Sequence, residues 1–217
     1  MNCDEILPYL NERFLYHALW QIGADAFLKD SELKKELADK YLQMSQWARE
    51  IVAPTHRYGF YRAVFTGHQA EIYDTHEAAS LMTISHAFDS IPAETIAFQI
   101  VTLGQSAVEK AQELKNNDEY SDYFYWHGFC AALTEAFAAK IHAVIREEYS
   151  KERSSPEAEF DQTYHGSRLS FGYPALPSIM EQGKVLELLH AEDMGIIMTE
   201  SGMLTPEYST CAMVIFE

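Results

Sequence analysis

Cysteine is scarce in this chain. Cys3, Cys130 and Cys211 are far apart and odd in number, with no C-x-x-C among them, which argues against a disulfide framework or a thiolate zinc site and fits buried thiols in a reducing compartment. Positive charge is scarce as well. Sixteen Lys and Arg face 33 Asp and Glu, a formal net charge of −17, and no window gathers enough cations to offset it. Nucleic acid phosphates and anionic membranes are therefore not expected partners. No apolar run approaches the ~20 residues needed to cross a bilayer. The opening MNCDEILPYL is acidic where a secretory signal is basic and then apolar, so the chain reads as cytoplasmic. Repeats and low-complexity tracts are absent too.

The familiar catalytic templates are also missing: G-x-x-x-x-G-K-[ST], G-x-G-x-x-G, H-E-x-x-H and G-x-S-x-G do not occur. The nine histidines never fall at a metal-ligand spacing on one expected element, so a metal site would need several distant elements to converge. No metal is expected. A hydrolase built on these scattered histidines is the weakest functional reading and requires metal in the purified protein.

What is present is enough apolar material, 47% of 217 residues, to bury one substantial core. From Asp30, with Ser31 as cap, the spacing of Leu33, Leu37, Tyr41, Met44, Trp47 and Ile51 predicts a helix stopped by Pro54. The period then changes. Tyr58–Phe65 and Ala70–Tyr73 read as a hairpin around T-G-H-Q, and Thr95–Thr102 as a further strand ending at Gly104. Helices are expected over Gln105–Leu114, from about Asp118 to Tyr149, and from about Met180 to His190. Lys151–Gly166 reads as a loop, and Gly195–Thr199 and Ser209–Phe216 as a late pair of strands. This is an α+β fold: one domain, a twisted and mostly antiparallel sheet, long flanking helices.

Two stretches stand out. RLSFGYPALP, Arg168–Pro177, has one cation, two prolines and a glycine beside a tyrosine, with the period of neither helix nor strand. Pro174 and Pro177 fix φ and Gly172 permits close backbone approach, so the segment reads as a stiff, pre-ordered wall. Glu135 sits in CAALTEAFAAK, where Ala131, Ala132, Ala138 and Ala139 surround it at helical spacing, with Gly128 two turns back. Small residues there admit either another helix or a ligand that meets the acid.

LTEAFAAKIH, then YHGSRLSFGYPALP followed by EQGKVLELLH, then GIIMTES and M-L-T-P-x-x-S together resemble the activation domain of cobalamin-dependent methionine synthase. Asn11-Glu12-Arg13 with Trp20, the hairpin YGFYRAVFTGHQAEIYD and the strand ending Val101–Gly104 extend the likeness over nearly the whole chain. Arg168, Gly172, Tyr173 and Pro174 are its most specific part.

The resemblance implies one such domain over 1–217, with a helical segment in 1–55 and the ligand-bearing sheet and helices in 56–217. It implies binding of S-adenosylmethionine by Glu135, Arg168, Ser170, Gly172, Tyr173, Pro174 and Ala175. The Arg168 fork suits a carboxylate, backbone groups near Ser170 and Ala175 suit a nucleoside edge, and Tyr173, in the catalytic position, faces the methyl group or the corrin. Cobalamin is held by a partner corrinoid module, and a flavodoxin-type donor supplies one electron for reductive methylation of cob(II)alamin within methionine biosynthesis. The domain alone is not expected to turn over.

Three departures bear on this. Gln162 stands where an acidic residue is usual, Leu176 where a cysteine is common, and the sequence ends at Glu217 where family members continue. The alternative is a non-catalytic docking or reactivation protein for another corrinoid methyltransferase that has lost S-adenosylmethionine binding.

Overall fold

A computed structural model of the protein describes residues 1–23, 30–75, 79–88, 94–151, 155–161 and 165–216. The chain opens with single helical turns, Cys3–Ile6, Leu7–Tyr9, Glu12–Phe14 and Leu15–Leu19. The first long helix, α1, spans Ser31–Ile51. Its cap is Asp30, not Ser31: the Asp30 carboxylate accepts from the backbone N–H groups of Glu32 and Leu33, and a carboxylate also complements the positive end of the helix dipole. Strands β1 (Thr55–Thr66), β2 (Gln69–Tyr73), β3 (Ser80–Ser85) and β4 (Thr95–Thr102) follow. Gly67, at φ +60°, is the first residue of the two-residue β1–β2 turn, a position that favours glycine. Helices α2 (Gln105–Asn116) and α3 (Tyr120–Ser150) come next, then a six-residue helix α4 (Pro156–Asp161), strand β5 (Ser167–Ser170) and helix α5 (Gln182–Leu188). Two short strands, β6 (Ile197–Met198) and β7 (Leu204–Thr205), precede the last strand, β8 (Ser209–Ile215).

The main sheet runs β3-β2-β1-β4-β8-β5, every pair antiparallel. Four expectations are corrected. The stretch read as free of regular structure begins as a strand, since Arg168–Ser170 pair with β8. The stretch read as a loop after Tyr149 contains α4. The late strands do not pair with each other: β6 pairs with β7, while β8 lies between β4 and β5. Strand β3 was not anticipated, because SLMTIS is short and follows a polar run.

Period-two alternation splits the core in two. On β4, Ala97 and Val101 face the helices, while Ile96, Phe98 and Ile100 face the opposite side. On β8, Val214 faces the helices and Met213 the opposite side. The helical side holds Ile6, Leu15, Trp20, Leu37, Met44, Trp126, Phe129 and Phe137 in one cluster, so the N-terminal turns and α1 share their core with α3. Trp20 is seated by Gly128: a Cβ there would lie 2.8 Å from the indole Cδ1. The opposite side is covered by α5 and by Phe171 and Leu176.

The central helix α3 explains where the apolar material goes. It is long and apolar enough by itself to span a bilayer, with an 18-residue stretch of mean hydropathy 1.3, against the expectation that no such run exists. The share of that stretch enclosed by the fold is 72%. Each large side chain it buries, such as Phe129 or Phe137, contributes about 2 kcal/mol.

Candidate functional site

An open cleft of about 510 Å3 lies between α3, β5, α4 and the N-terminal turns. Its α3 wall is built from Ala132, Glu135, Ala136, Ala139 and His142, residues spaced to fall along one helical face. The alanines hollow the wall: of the four named around Glu135, Ala132 and Ala139 line the cleft, Ala131 and Ala138 do not, and Ala136 joins them.

Strand β5 supplies the second wall. Arg168 pairs with Val214 and Leu169 with Met213, so alternation turns Arg168 and Ser170 toward α3 and Leu169 into the opposite core. Gly166 prepares this entry at φ +100°; a Cβ there would lie 3.0 Å from the Ile215 carbonyl oxygen. Beyond the strand, the Gly172 N–H donates to the Leu176 carbonyl at 2.8 Å and the Leu176 N–H to the Tyr173 carbonyl at 3.0 Å. Leu176, in the position where a cysteine was expected by resemblance, anchors this turn at 1% exposure. Gly172 adopts φ +83° and packs on Ile179, a conformation that favours glycine.

Of the sequence-predicted site residues, the cleft brings together Glu135, Arg168, Ser170 and Tyr173. Gly172, Pro174 and Ala175 are not in its lining; they form the turn that carries Tyr173, and Ala175 accepts a hydrogen bond from the Ala87 N–H at 3.0 Å. The Tyr173 ring stands 67% exposed at the rim. Gln162 lies outside the described residues.

Sequence reasoning missed Tyr9, Asn11, Phe14, His142, Glu159 and Phe160. His142 was within reach, two turns after Glu135 on the same face. Asn11 was quoted for resemblance alone; its side chain caps the turn at Phe14. Glu159 gave no signal, because it arrives from a segment read as loop.

Charge in the cleft is arranged in two layers. At the mouth, Arg168 Nη2 donates to Glu135 Oε2 at 2.8 Å, with the two side chains 20% and 53% exposed. Arg168 Nη1 is buried and has no partner among the described residues. At the floor, Arg146 and Glu159 form a close ion pair enclosed by the fold, and His142 Nδ1 lies 3.9 Å from Glu159. Burial first, then the neighbouring Arg146 and Arg168 cations, push the His142 pKa down to about 3. At neutral pH it is an uncharged imidazole.

The cleft therefore offers a donor fork and carboxylates, not an activated nucleophile. Cys3, Cys130 and Cys211 are buried, and desolvation raises all three thiol pKa values, which suppresses the reactive thiolate. Among the described residues, no three His, Cys, Asp or Glu side chains gather as a metal site would need. Among the described residues, the cations of α1 do not gather into a patch for an acidic partner. Lys29 lies outside the described residues, Lys34 and Lys35 sit near the start of α1, and Arg49, about 22 Å farther along it, is paired with Asp4 at 2.7 Å.

The sequence profile described as vitamin B12 dependent methionine synthase, activation domain, matches residues 69–217, more than half of the chain. The chain belongs to that family. The methionine synthases of Mycobacterium tuberculosis (strain ATCC 25618 / H37Rv) and Mycobacterium leprae (strain TN) are each 39% identical to it over 131 residues. Those alignments cover 56% of this chain, which spans only 11% of either relative. A solved structure described as the MetH reactivation domain bound to AdoHcy superposes with a TM-score of 0.84, over all of this chain and 76% of that one, at 20% identity. The activation-domain fold is thus shared, antiparallel sheet and long helices included.

Proposed function

We propose that the cleft binds S-adenosylmethionine and presents its methyl group to cobalamin carried by a neighbouring corrinoid module of methionine synthase. The reaction served is reductive methylation of cob(II)alamin, completed by one electron from a flavodoxin-type donor. Bound S-adenosylmethionine supplies a methyl group on a sulfonium. The chain's own residues bind, orient and exclude water, a task worth several kcal/mol when reacting groups are held in line. This accounts for a site without an activated Ser, Cys or metal ligand set.

The observation that carries the reading is the half-used guanidinium. Arg168 spends Nη2 on Glu135 and keeps Nη1 buried without a partner among the described residues, a cost that a ligand carboxylate would relieve by a charge-assisted bond. Glu135, whose side chain is 53% exposed at the mouth, offers a carboxylate oxygen to the ammonium of such a ligand. In this reading the nucleoside edge lies along Ser170, and the methyl group or the corrin face lies against Tyr173, which is exposed and lines the cleft. Gly172, Pro174 and Ala175 hold that rim in shape. The described AdoHcy complex of a domain with the same fold supports the ligand class.

Calorimetric titration with S-adenosylmethionine tests this. Heat of binding is expected for the native protein, and Arg168→Ala should weaken it at least tenfold while leaving the fold intact; several contacts share the load, since one such bond contributes only about 1.5 to 3 kcal/mol. The internal Arg168–Glu135 contact favours a second reading, a docking or reactivation protein for another corrinoid methyltransferase that no longer takes the ligand. A folded sample that gives no heat would favour it. With a corrinoid partner, reductant and S-adenosylmethionine, the first reading expects the methylcobalamin spectrum to appear.

A further inference from the structure

We infer that Glu159 is a positioning residue: its carboxylate, seated against buried Arg146, latches the helix Pro156–Asp161 over the cleft so that Phe160 becomes the wall separating it from a second groove. The first observation is what this helix lacks. None of its six residues is buried as a whole, and Phe160 is 46% exposed. Six residues do not hold a helix by propensity alone, so docking must come from tertiary contact, and no fully buried apolar side chain of this helix supplies it.

The second observation is what replaces the anchor. The Glu159 side chain is only 5% exposed and Arg146, its partner on α3, only 7%. A buried ion pair of this kind adds little net stability, yet it fixes placement, because either charge left alone in the interior is costly. The third is where the helix is thereby held. Phe160 lines the ligand cleft and also an adjoining groove of about 800 Å3 between the N-terminal turns and α1, formed with Leu7, Leu10, Tyr41 and Leu42. Asn11 borders both spaces. Release of the Glu159 carboxylate would free Phe160 and merge the two, leaving the ligand a wider, less complementary site.

The ligand part of this inference rests on the reading under Proposed function; the latch itself does not. Glu159→Gln, which keeps the shape and removes the charge, separates them. Amide hydrogen exchange across 155–161 should accelerate at least tenfold while α3 and the sheet remain protected. Titration of the same variant with S-adenosylmethionine should show affinity reduced at least tenfold. Phe160→Ala, at an exposed position outside the core, should lower affinity several-fold with an unchanged melting temperature. If the Gln variant does not fold, Glu159→Asp, which withdraws the carboxylate by one methylene, serves in both measurements. Unchanged exchange in 155–161 would overturn the latch, and a loosened helix with undiminished affinity would overturn the positioning role. Failure of the native protein to bind S-adenosylmethionine would sink the proposed function, with the exchange measurement still deciding the latch.

Discussion

Arg168–Glu135 at the mouth of the cleft and Arg146–Glu159 at its floor are the same chemical pair in two environments. Each joins an arginine and a glutamate from different elements, and α3 contributes one member to both. At the mouth, the side chains keep 20% and 53% of their exposure; at the floor, 7% and 5%. In water-screened surroundings such a pair forms and breaks for about 1 kcal/mol or less, so Glu135 can be exchanged for a ligand group. In the interior, neither charge can be left without the other. Burial thus separates a pair available for recognition from one that holds the site together.

The comparison is broken most directly by removing one arginine at a time. Arg146→Ala should cost about 3 kcal/mol, since it removes a buried stem and one member of an enclosed pair. Arg168→Ala should cost less than about 1 kcal/mol of folding stability. Urea midpoints at pH 7 measure both, and equal costs would mean that burial does not distinguish the two pairs.

A smaller effect is expected from acid. His142, beside the floor pair, has its pKa pushed from 6.5 down to about 3 by burial and then by Arg146 and Arg168. Between those values it is neutral in the fold and protonated in the unfolded chain, so unfolding takes up a proton and stability rises with pH through that window. Acidification from pH 7 to pH 5 should therefore remove about 2 kcal/mol through this group alone. His142→Gln should flatten the dependence of the urea midpoint on pH by that amount. A slope unchanged in the variant would show that His142 is not the group whose proton uptake drives the loss.

These two layers were not equally legible in the sequence. The mouth was readable because it obeys local rules: RLSFGYPALP carries its turn chemistry in Gly172 and Pro174, and Glu135 lies among alanines at helical spacing. The strands Thr95–Thr102 and Ser209–Phe216 and the helix from Ser31 to Ile51 were readable for the same reason, an unbroken period with punctuation at each end. The floor obeys no local rule. Glu159 reaches Arg146 only after the chain has left α3 and turned back, and PEAEFD has the composition of a solvated loop until that pairing is made. Strand β5 was hidden in a comparable way. Four residues, SRLS, are too few for alternation to declare itself, and their pairing is decided by β8, nearly forty residues later. What tertiary contact creates, composition does not announce.

The finest comparison is within the mouth itself, between charge and shape. Arg168→Lys keeps the positive charge beside Glu135 but replaces a planar fork with a single nitrogen. That nitrogen can meet Glu135 or a ligand carboxylate well, but it cannot reproduce the division seen here, Nη2 on Glu135 and Nη1 left over. Folding stability should change by less than about 0.5 kcal/mol, because the exposed pair contributes little either way. Affinity for S-adenosylmethionine should nonetheless fall about five- to tenfold, roughly 1 to 1.4 kcal/mol, a smaller loss than in the alanine variant. Calorimetry on the lysine variant at matched salt decides between the two origins of recognition. Full affinity would mean that the mouth recognises its ligand by charge alone and that the spare guanidinium nitrogen has no part in binding.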